Sequence, residues 1–309
     1  MRLSIAIAIV LGATSCRQIL GIDPGIVRDA GVDDADASVA DSPGDTPAID
    51  MAFSSWTNLA VVPGLQPGDQ DPTLTGDMLE IYFTRGASVY FATRTSLMAT
   101  WDVPQLVMLS SMGPTSIDQS PEMSPEGLVL QFASDRGAGT KLDVYVTFRG
   151  SRSADWGVPD PLGTLNDTDF DERPGAATTT GSRITLSSDR DGDGLDLYEA
   201  NRPGVLGTPY DAPVRIPVST AGDDGSPFLS GDGLTLYYAS AAEGSTQRDL
   251  YVSTRAVLAD QFTLGTRIDE LSTAFNDSDP WVSPDGLDIY FLSDRDGSPR
   301  IWHASRASR

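Results

Sequence analysis

The sequence predicts an all-β fold of five repeated sheets, and three observations support this prediction. Prolines recur at intervals of 49, 53, 53 and 53 residues, at Pro72, Pro121, Pro174, Pro227 and Pro280. The chain holds 30 Gly and 21 Pro in 309 residues, a content of turn formers that favours many short strands over long helices. Four short strand-like segments fit in each repeat, and four strands in about 50 residues are typical of a β-propeller blade. We therefore predict a five-bladed β-propeller of four-stranded antiparallel blades.

Each repeat passes through the same elements in the same order. After the proline comes a turn such as Ser283-Pro284-Asp285-Gly286, in which Pro and then Gly suit the backbone angles of a hairpin. An alternating apolar strand follows, then a turn such as Ser293-Asp294-Arg295, then a third strand such as Asp249-Leu250-Tyr251. Every repeat then carries an arginine at the same offset from this third strand: Arg94, Arg149, Arg202, Arg255 and Arg306. Residues that recur in register are expected to bridge strands or blades rather than to bind a ligand.

The two ends of the repeat array predict how the ring closes. The fourth strand of a blade is predicted to open with an aromatic residue: Trp101, Trp156, Tyr210 or Phe262. The last repeat ends soon after Arg306 and lacks this strand, whereas residues 53–62 form a strand with no partner in the first repeat. Trp56 lies 16 residues before Pro72, close to the 18 residues that separate Trp156 from Pro174. We expect residues 53–62 to complete the last blade and so to remove an exposed sheet edge.

The repeat resembles a known family. The pattern Pro-x-x-Ser-Pro-Asp-Gly, strand, Ser-Asp-Arg, Asp-Leu-Tyr is similar to the TolB-type, WD40-like β-propeller repeat of bacterial envelope proteins, over residues ~53–306. The resemblance implies a propeller at the cell envelope. It does not fix a function, because this family includes protein-binding scaffolds, peptidase gate domains and surface lipoproteins. TolB itself has six blades and a further N-terminal domain, whereas this chain shows five repeats.

The first 15 residues are predicted to be a lipoprotein signal peptide. Arg2 precedes an apolar run that is too short to span a membrane, and small residues lead to Cys16, the single cysteine. Residues 13–16 resemble the bacterial lipobox, whose cysteine is diacylated and becomes the mature N-terminus. Secretion without a lipid stays open because Ala13 stands where that motif most often has Leu. Arg17 in place of Asp favours the outer membrane, on its periplasmic face or at the cell surface.

Residues 16–52 are predicted to be the lipidated cysteine and an acidic disordered tether, and residues 53–309 the propeller. The chain holds 21 basic and 44 acidic residues, a net charge of −23. Such a surface repels nucleic-acid phosphates and anionic headgroups. The expected partner is a protein or glycan of the envelope, with the membrane touched through the lipid anchor only.

A possible calcium site lies in the third repeat. Asp189, Asp191, Asp193 and Asp196 surround two glycines, and carboxylates at alternate positions resemble the start of a calcium loop. No Glu occupies the twelfth position of that loop, where Ala200 stands. An acidic hairpin turn without a metal is the alternative. No other cofactor is expected.

The sequence favours a binding scaffold without catalysis. His303 is the single histidine, and no His/Cys cluster, Gly-x-Ser-x-Gly motif or phosphate loop is present. The alternative is a carbohydrate-active, glycosidase-like enzyme that uses carboxylates at the propeller mouth. Acidic residues do precede the prolines, at Asp167, Asp169, Asp171, Glu172, Asp223, Asp224, Asp277 and Asp279. Because this segment is acidic in most repeats and no repeat stands out by an unmatched carboxylate, we predict that the protein is not an enzyme.

Overall fold

A computed structural model describes residues 53–109, 116–137, 140–192, 194–202, 208–220, 222–241 and 245–308. These residues form 20 β-strands in five four-stranded antiparallel sheets. They form no helix that could cross a membrane. The predicted signal peptide, Cys16 and the predicted tether lie outside the described residues.

Within each blade the strands follow one another from the axis outward. Blade 1 contains β2 (Asp69–Leu74), β3 (Glu80–Arg85), β4 (Ser88–Thr93) and β5 (Gln105–Leu106). Blade 2 contains β6 (Asp118–Met123), β7 (Val129–Ser134), β8 (Asp143–Phe148) and β9 (Asp160–Pro161). Blade 3 contains β10 (Glu172–Ala177), β11 (Arg183–Ser188), β12 (Asp196–Asn201) and β13 (Val214–Arg215). Blade 4 contains β14 (Asp224–Leu229), β15 (Thr235–Ala241), β16 (Arg248–Thr254) and β17 (Thr266–Arg267). Blade 5 contains β18 (Asp277–Val282), β19 (Asp288–Ser293), β20 (Arg300–Ser305) and the N-terminal strand β1 (Thr57–Val61).

The innermost position in each blade is taken by its first strand. The first strands β2, β6, β10, β14 and β18 contact one another around the ring, which makes them the innermost strands. The predicted five-bladed propeller is confirmed.

The N-terminal strand closes the ring as predicted. β1 pairs antiparallel with β20, with Ala60 opposite His303 and Val61 opposite Trp302. Phe53 forms a further bridge to Ser308. The β20 edge is therefore covered by the opposite end of the chain, and the ring has no open border at this point.

The arginine that recurs after the third strand stacks on an aromatic ring in every blade. Its guanidinium carbon lies 4.0–4.6 Å from the ring centroid in the pairs Arg94–Trp101, Arg149–Trp156, Arg202–Tyr210, Arg255–Phe262 and Arg306–Phe53. The prediction that the aromatic residue opens the fourth strand is wrong, since β5 begins at Gln105, after Trp101. The aromatic side chain lies in the loop before the fourth strand, where it covers the arginine guanidinium. In blade 5 the N-terminal Phe53 and Trp56 both cover Arg306.

Other repeated charges bridge blades or strands, as the repetition predicts. Arg149 of blade 2 donates to Glu80 of blade 1 at 2.6 Å, and both side chains are buried. Arg255 of blade 4 bonds Glu199 of blade 3 in the same way. The Ser-Asp-Arg arginines instead bond the acid that begins the innermost strand of their own blade, as Arg136 does with Asp118 at 2.5 Å. These residues are structural, which leaves the non-repeated polar residues as candidates for function.

Candidate functional site

A cavity of about 540 Å³ opens on the axis of the ring. Its wall is formed by the innermost strands, for example at Gln70 and Gln119, and by hairpins between the second and third strands, at Leu195, Thr246 and Pro299. Of the eight acidic residues that the sequence places before the prolines, Asp223 and Asp279 line this cavity and the other six do not. Its volume lies within the usual range of small-ligand sites, about 300–1,000 Å³.

A bulge turns the innermost strands toward this cavity. In four blades the residue before the proline has a positive φ of about 50°: Asp71 (53°), Ser120 (49°), Ser226 (52°) and Asp279 (52°). The pairing with the second strand shifts register at each of these places. A non-glycine residue in this region is strained, and such strain concentrates at functional sites. All four residues line the cavity.

Blade 3 departs from the other four. Glu172 pairs with Ser188 at the start of its strand, as Asp118 pairs with Ser134 in blade 2. Pro174 therefore occupies the position that precedes the proline elsewhere, and its ring forbids a positive φ. An alignment of the five repeats on their prolines therefore places blade 3 one residue out of register with the other blades.

Three of the carboxylates that line the cavity belong to the innermost strands: Asp71, Glu122 and Asp279. Glu122 is acidic in its own blade alone, whereas Asp71 and Asp279 share one position that is acidic in two of the five blades. The position of Asp71 and Asp279 holds Ser120, Pro174 and Ser226 in the other blades, and the position of Glu122 holds Thr73, Ala176, Phe228 and Trp281. The expectation that no repeat has an unmatched carboxylate is therefore wrong. A comparison of the residues on either side of each proline, position by position, would have found Asp71 and Glu122.

Asp71 lies beside Asp279. Burial and the adjacent charge of Asp279 raise the pKa of Asp71 to about 7, although the Thr84 hydroxyl and the Ser120 N–H act in the opposite direction. The charge of Asp279 therefore favours the protonated form of Asp71. Ser226 donates its hydroxyl to Asp279 from the neighbouring strand. With a pKa of about 7, Asp71 can both hold and release a proton near neutral pH.

Glu122 faces the same cavity from β6. Burial raises the pKa of Glu122 well above its usual range, and the charges of Asp71 and Asp279 raise it further. Thr73 donates its hydroxyl to Glu122 with an Oγ1–Oε2 distance of 3.4 Å. Protein encloses the carboxyl group on most sides, and its remaining exposure is to the cavity. A carboxyl group with a raised pKa and the Asp71–Asp279 pair thus meet in one site, an arrangement that suits acid–base chemistry.

The predicted calcium turn carries charges that are already engaged. Arg215 lies 2.5 Å from Asp196 and 3.7 Å from Asp191, and Asp189 accepts the Asp171 N–H at 2.8 Å. Asp193 lies outside the described residues. Within the described part of the chain, no group of three or more His, Cys, Asp or Glu residues is arranged to hold a metal. Calcium binding at this turn stays a prediction.

His303 takes a local role on β20. Its Nε2 lies 2.6 Å from Asp288, and its ring packs on Tyr290 at 4.7 Å between centroids. It does not line the axial cavity.

The fold and the cavity define the protein as a five-bladed propeller with an acidic site on its axis. No protein-family model matches the sequence, and no curated protein is significantly similar to it. Solved structures with the same fold include the endo-arabinase from Bacteroides thetaiotaomicron VPI-5482, with a TM-score of 0.60, 12% identity and coverage of 82% of this chain and 97% of that chain. The catalytic domain of the Coprinopsis cinerea GH62 α-L-arabinofuranosidase has a TM-score of 0.55 and 12% identity, and the match covers 83% of this chain and 98% of that chain. The putative TolB from Agrobacterium tumefaciens has a TM-score of 0.52 and 15% identity, with coverage of 83% of this chain and 88% of that chain.

At these identities the likeness concerns the fold. It supports the resemblance to TolB-type propellers at that level. It also corrects the prediction that the chain is not an enzyme, since glycoside hydrolases share this architecture over nearly their whole length. The sequence argument against catalysis fails independently, because it depended on the absence of an unmatched carboxylate and Glu122 is one.

Proposed function

We propose that the protein is a glycoside hydrolase whose reacting centre is the axial cavity. The observation that carries this proposal is the set of three carboxylates, Asp71, Glu122 and Asp279, on the innermost strands around one cavity. The repeat does not require them, since the position of Glu122 is acidic in one blade and the position of Asp71 and Asp279 in two. The shared fold with an endo-arabinase and an α-L-arabinofuranosidase supports the same class of chemistry.

The directions of the pKa shifts suggest the division of roles. Glu122, whose pKa is raised by burial, is the general acid that donates its proton to the glycosidic oxygen as the bond from that oxygen to C1 breaks. A water attacks C1, and the Asp71–Asp279 pair accepts the proton that this water loses. The products are a hemiacetal and a free hydroxyl, and a proton returned to Glu122 completes the cycle. Glycosidases use two such carboxyl functions with separated pKa values.

The test is glycan hydrolysis by the purified protein and a Glu122→Gln variant. Release of reducing ends is measured on a panel of arabinans, xylans, galactans and acidic polysaccharides. Since general acid catalysis contributes about 10²–10⁴-fold, we expect Glu122→Gln to lose at least ~100-fold in kcat with little change in melting temperature.

The control is Glu126→Gln, which changes an exposed glutamate in the turn after β6 and should keep full activity. Hydrolysis of no member of the panel by the wild type, or full activity in Glu122→Gln, would reject the catalytic assignment. Binding of a glycan without cleavage would instead describe a carbohydrate-binding scaffold.

We further propose that Cys16 anchors this domain to the cell envelope as a lipoprotein. The support is the lipobox-like segment before the single cysteine and the acidic residues that follow it. Labelling with radioactive palmitate should mark the wild type and not Cys16→Ala, and label retained by the variant would contradict the anchor.

A further inference from the structure

Two arginines line the axial cavity of a protein whose net charge is −23. Arg173 lies on the innermost strand β10, and Arg248 begins β16 at the rim of the cavity. The corresponding positions to Arg173 on the other innermost strands are uncharged: Gln70, Gln119, Gly225 and Ser278. Arg173 is thus a further charge in the site that the other blades lack, of opposite sign to the three carboxylates.

The guanidinium of Arg173 makes unusually few contacts. Its nearest carboxylate is Asp171 at 3.9 Å, and it has no hydrogen bond to any other described residue. By contrast, Arg136 and Arg295, which start from the hairpins of their blades, bond buried aspartates at 2.5 and 2.6 Å. A guanidinium offers five donors in a planar fork that suits carboxylate and sulfate oxygens. Most of the donors of Arg173 therefore remain available to a molecule in the cavity.

Arg248 adds a second cation on the same wall. It forms an ion pair with Asp223, and both residues line the cavity. Its side chain also packs beside Gly225, where an added Cβ would lie 3.5 Å from Nη1. Arg248 balances the charge of Asp223 at the rim, and Arg173 can bind an anion beside the bulge residues.

The acidic lining of the cavity is partly offset. Asp223 pairs with Arg248, and burial raises the pKa values of Glu122 and Asp71, which favours their neutral forms. The negative charge that an anionic ligand meets is therefore smaller than the residue count suggests.

We propose that the site takes an anionic glycan, whose carboxylate or sulfate group binds the Arg173 guanidinium while the adjacent glycosidic bond faces Glu122. This inference rests on the proposed function, since it names the substrate class of the same cavity. A uronate and a sulfate ester share the chemistry that the guanidinium recognises.

Binding is measured by calorimetry on the full chain carrying Glu122→Gln, so that no ligand is consumed. The probes are oligogalacturonates for the carboxylate, sulfated galactan oligomers for the sulfate, and neutral galactan and arabinan oligomers of equal length. One anionic series should bind at least ~10-fold more tightly than the neutral ones, and the preferred series identifies the anion. Adding Arg173→Gln should weaken that series on the order of 10- to 100-fold and leave the neutral oligomers unchanged.

Arg152→Gln is the matched control, since it removes the same charge from an arginine outside the cavity that pairs with Asp77; it should leave binding unchanged. Arg173→Lys should recover part of the affinity, which separates a loss of charge from a loss of fold.

Equal or tighter binding of neutral oligomers, with no effect of Arg173→Gln, would overturn the anionic assignment. Hydrolysis of neutral glycans by the wild type would then still support the glycosidase. Arg173-dependent binding of anionic oligomers that the wild type never cleaves would support the anion site and reject the glycosidase.

Discussion

Removal of the Trp56 side chain tests the closure of the ring. Trp56 is 7% exposed and packs in an apolar cluster with Tyr237, Leu250 and Phe291. The guanidinium of Arg306 lies 4.2 Å from its ring centroid. Replacing a buried tryptophan by alanine costs about 3–5 kcal/mol, and a stacked cation contributes about 0.5–2 kcal/mol within that loss. We expect Trp56→Ala to lower the free energy of unfolding by about 4 kcal/mol.

Trp101→Ala provides a matched comparison. Trp101 is also 7% exposed and lies 4.3 Å from the guanidinium of Arg94, but it belongs to a blade formed by one continuous segment. If β1 is as much a part of the ring as β5, the two variants should lose similar stability. Urea denaturation followed by far-UV circular dichroism measures both, since fluorescence would change with the deleted tryptophan.

The outcome that would refute the closure is a loss below about 1 kcal/mol for Trp56→Ala beside about 4 kcal/mol for Trp101→Ala. A detached β1 also leaves the edge of β20 unpaired, and such edges recruit other chains. Trp56→Ala should therefore form dimers or larger species at high concentration, and Trp101→Ala should form fewer.

Three further predictions concern charge. For Asp71, with a pKa raised from 3.8 to about 7, the folded state binds the extra proton, so its contribution is favourable at low pH and is lost as the pH rises through about 7. Asp71→Asn should reduce the change in the free energy of unfolding between pH 4 and 8 by about 1–2 kcal/mol. This is less than the ~4 kcal/mol of the full pKa shift because cavity water screens the group. An unchanged pH profile of stability would contradict the interaction of Asp71 with Asp279. Arg149→Gln removes the nearest cation from the buried Glu80, which keeps Arg152 at 3.7 Å and the Tyr82 hydroxyl. The change should cost about 1.5–3 kcal/mol in urea denaturation, of which the double variant with Glu80→Gln recovers a part. Simple additivity of the two variants would show that the ion pair contributes nothing. Excess calcium should raise the melting temperature if the Asp189–Asp196 turn binds it, and identical melts with calcium and with chelator would reject that site.

The sequence predicts the fold well because the fold is a repeat. The missing fourth strand of the last unit and the spacing of Trp56 from Pro72 together identify the closing strand before any coordinate is known. The same repetition identifies Arg149 and Arg255 as structural, since one structural role must be filled in every blade. The period of the repeat shows which residues occupy equivalent positions in the blades, and these equivalences are sufficient to predict the ring.

The candidate site was harder to predict for the same reason. The acidic segment before each proline contains two different positions, the start of the strand and the bulge, and the sequence does not mark where one ends. Asp118 and Glu172 pair with arginines at the strand start, whereas Asp71 and Asp279 lie at the bulge. Only the register of strand pairing distinguishes the strand start from the bulge. In blade 3 the proline, Pro174, stands one residue earlier than in the other blades, which hides this register in the sequence.

Glu122 could not be assigned a role from the chain alone. Its pKa depends on burial and on Asp71 and Asp279, which are 51 residues before it and 157 after it in the chain. A propeller brings such distant residues together because all innermost strands face one axis. The raised pKa of Glu122 therefore depends on the closed ring.

The most direct test of the central claim compares substrates with good and poor leaving groups. A general acid is needed to expel a sugar hydroxyl, but a dinitrophenolate leaves without protonation. If Glu122 is the acid, Glu122→Gln should lose at least ~100-fold in kcat on the oligosaccharide and less than about 10-fold on the matching dinitrophenyl glycoside. Equal losses on both substrates, or no loss on either, would contradict the role given to the axial carboxylates.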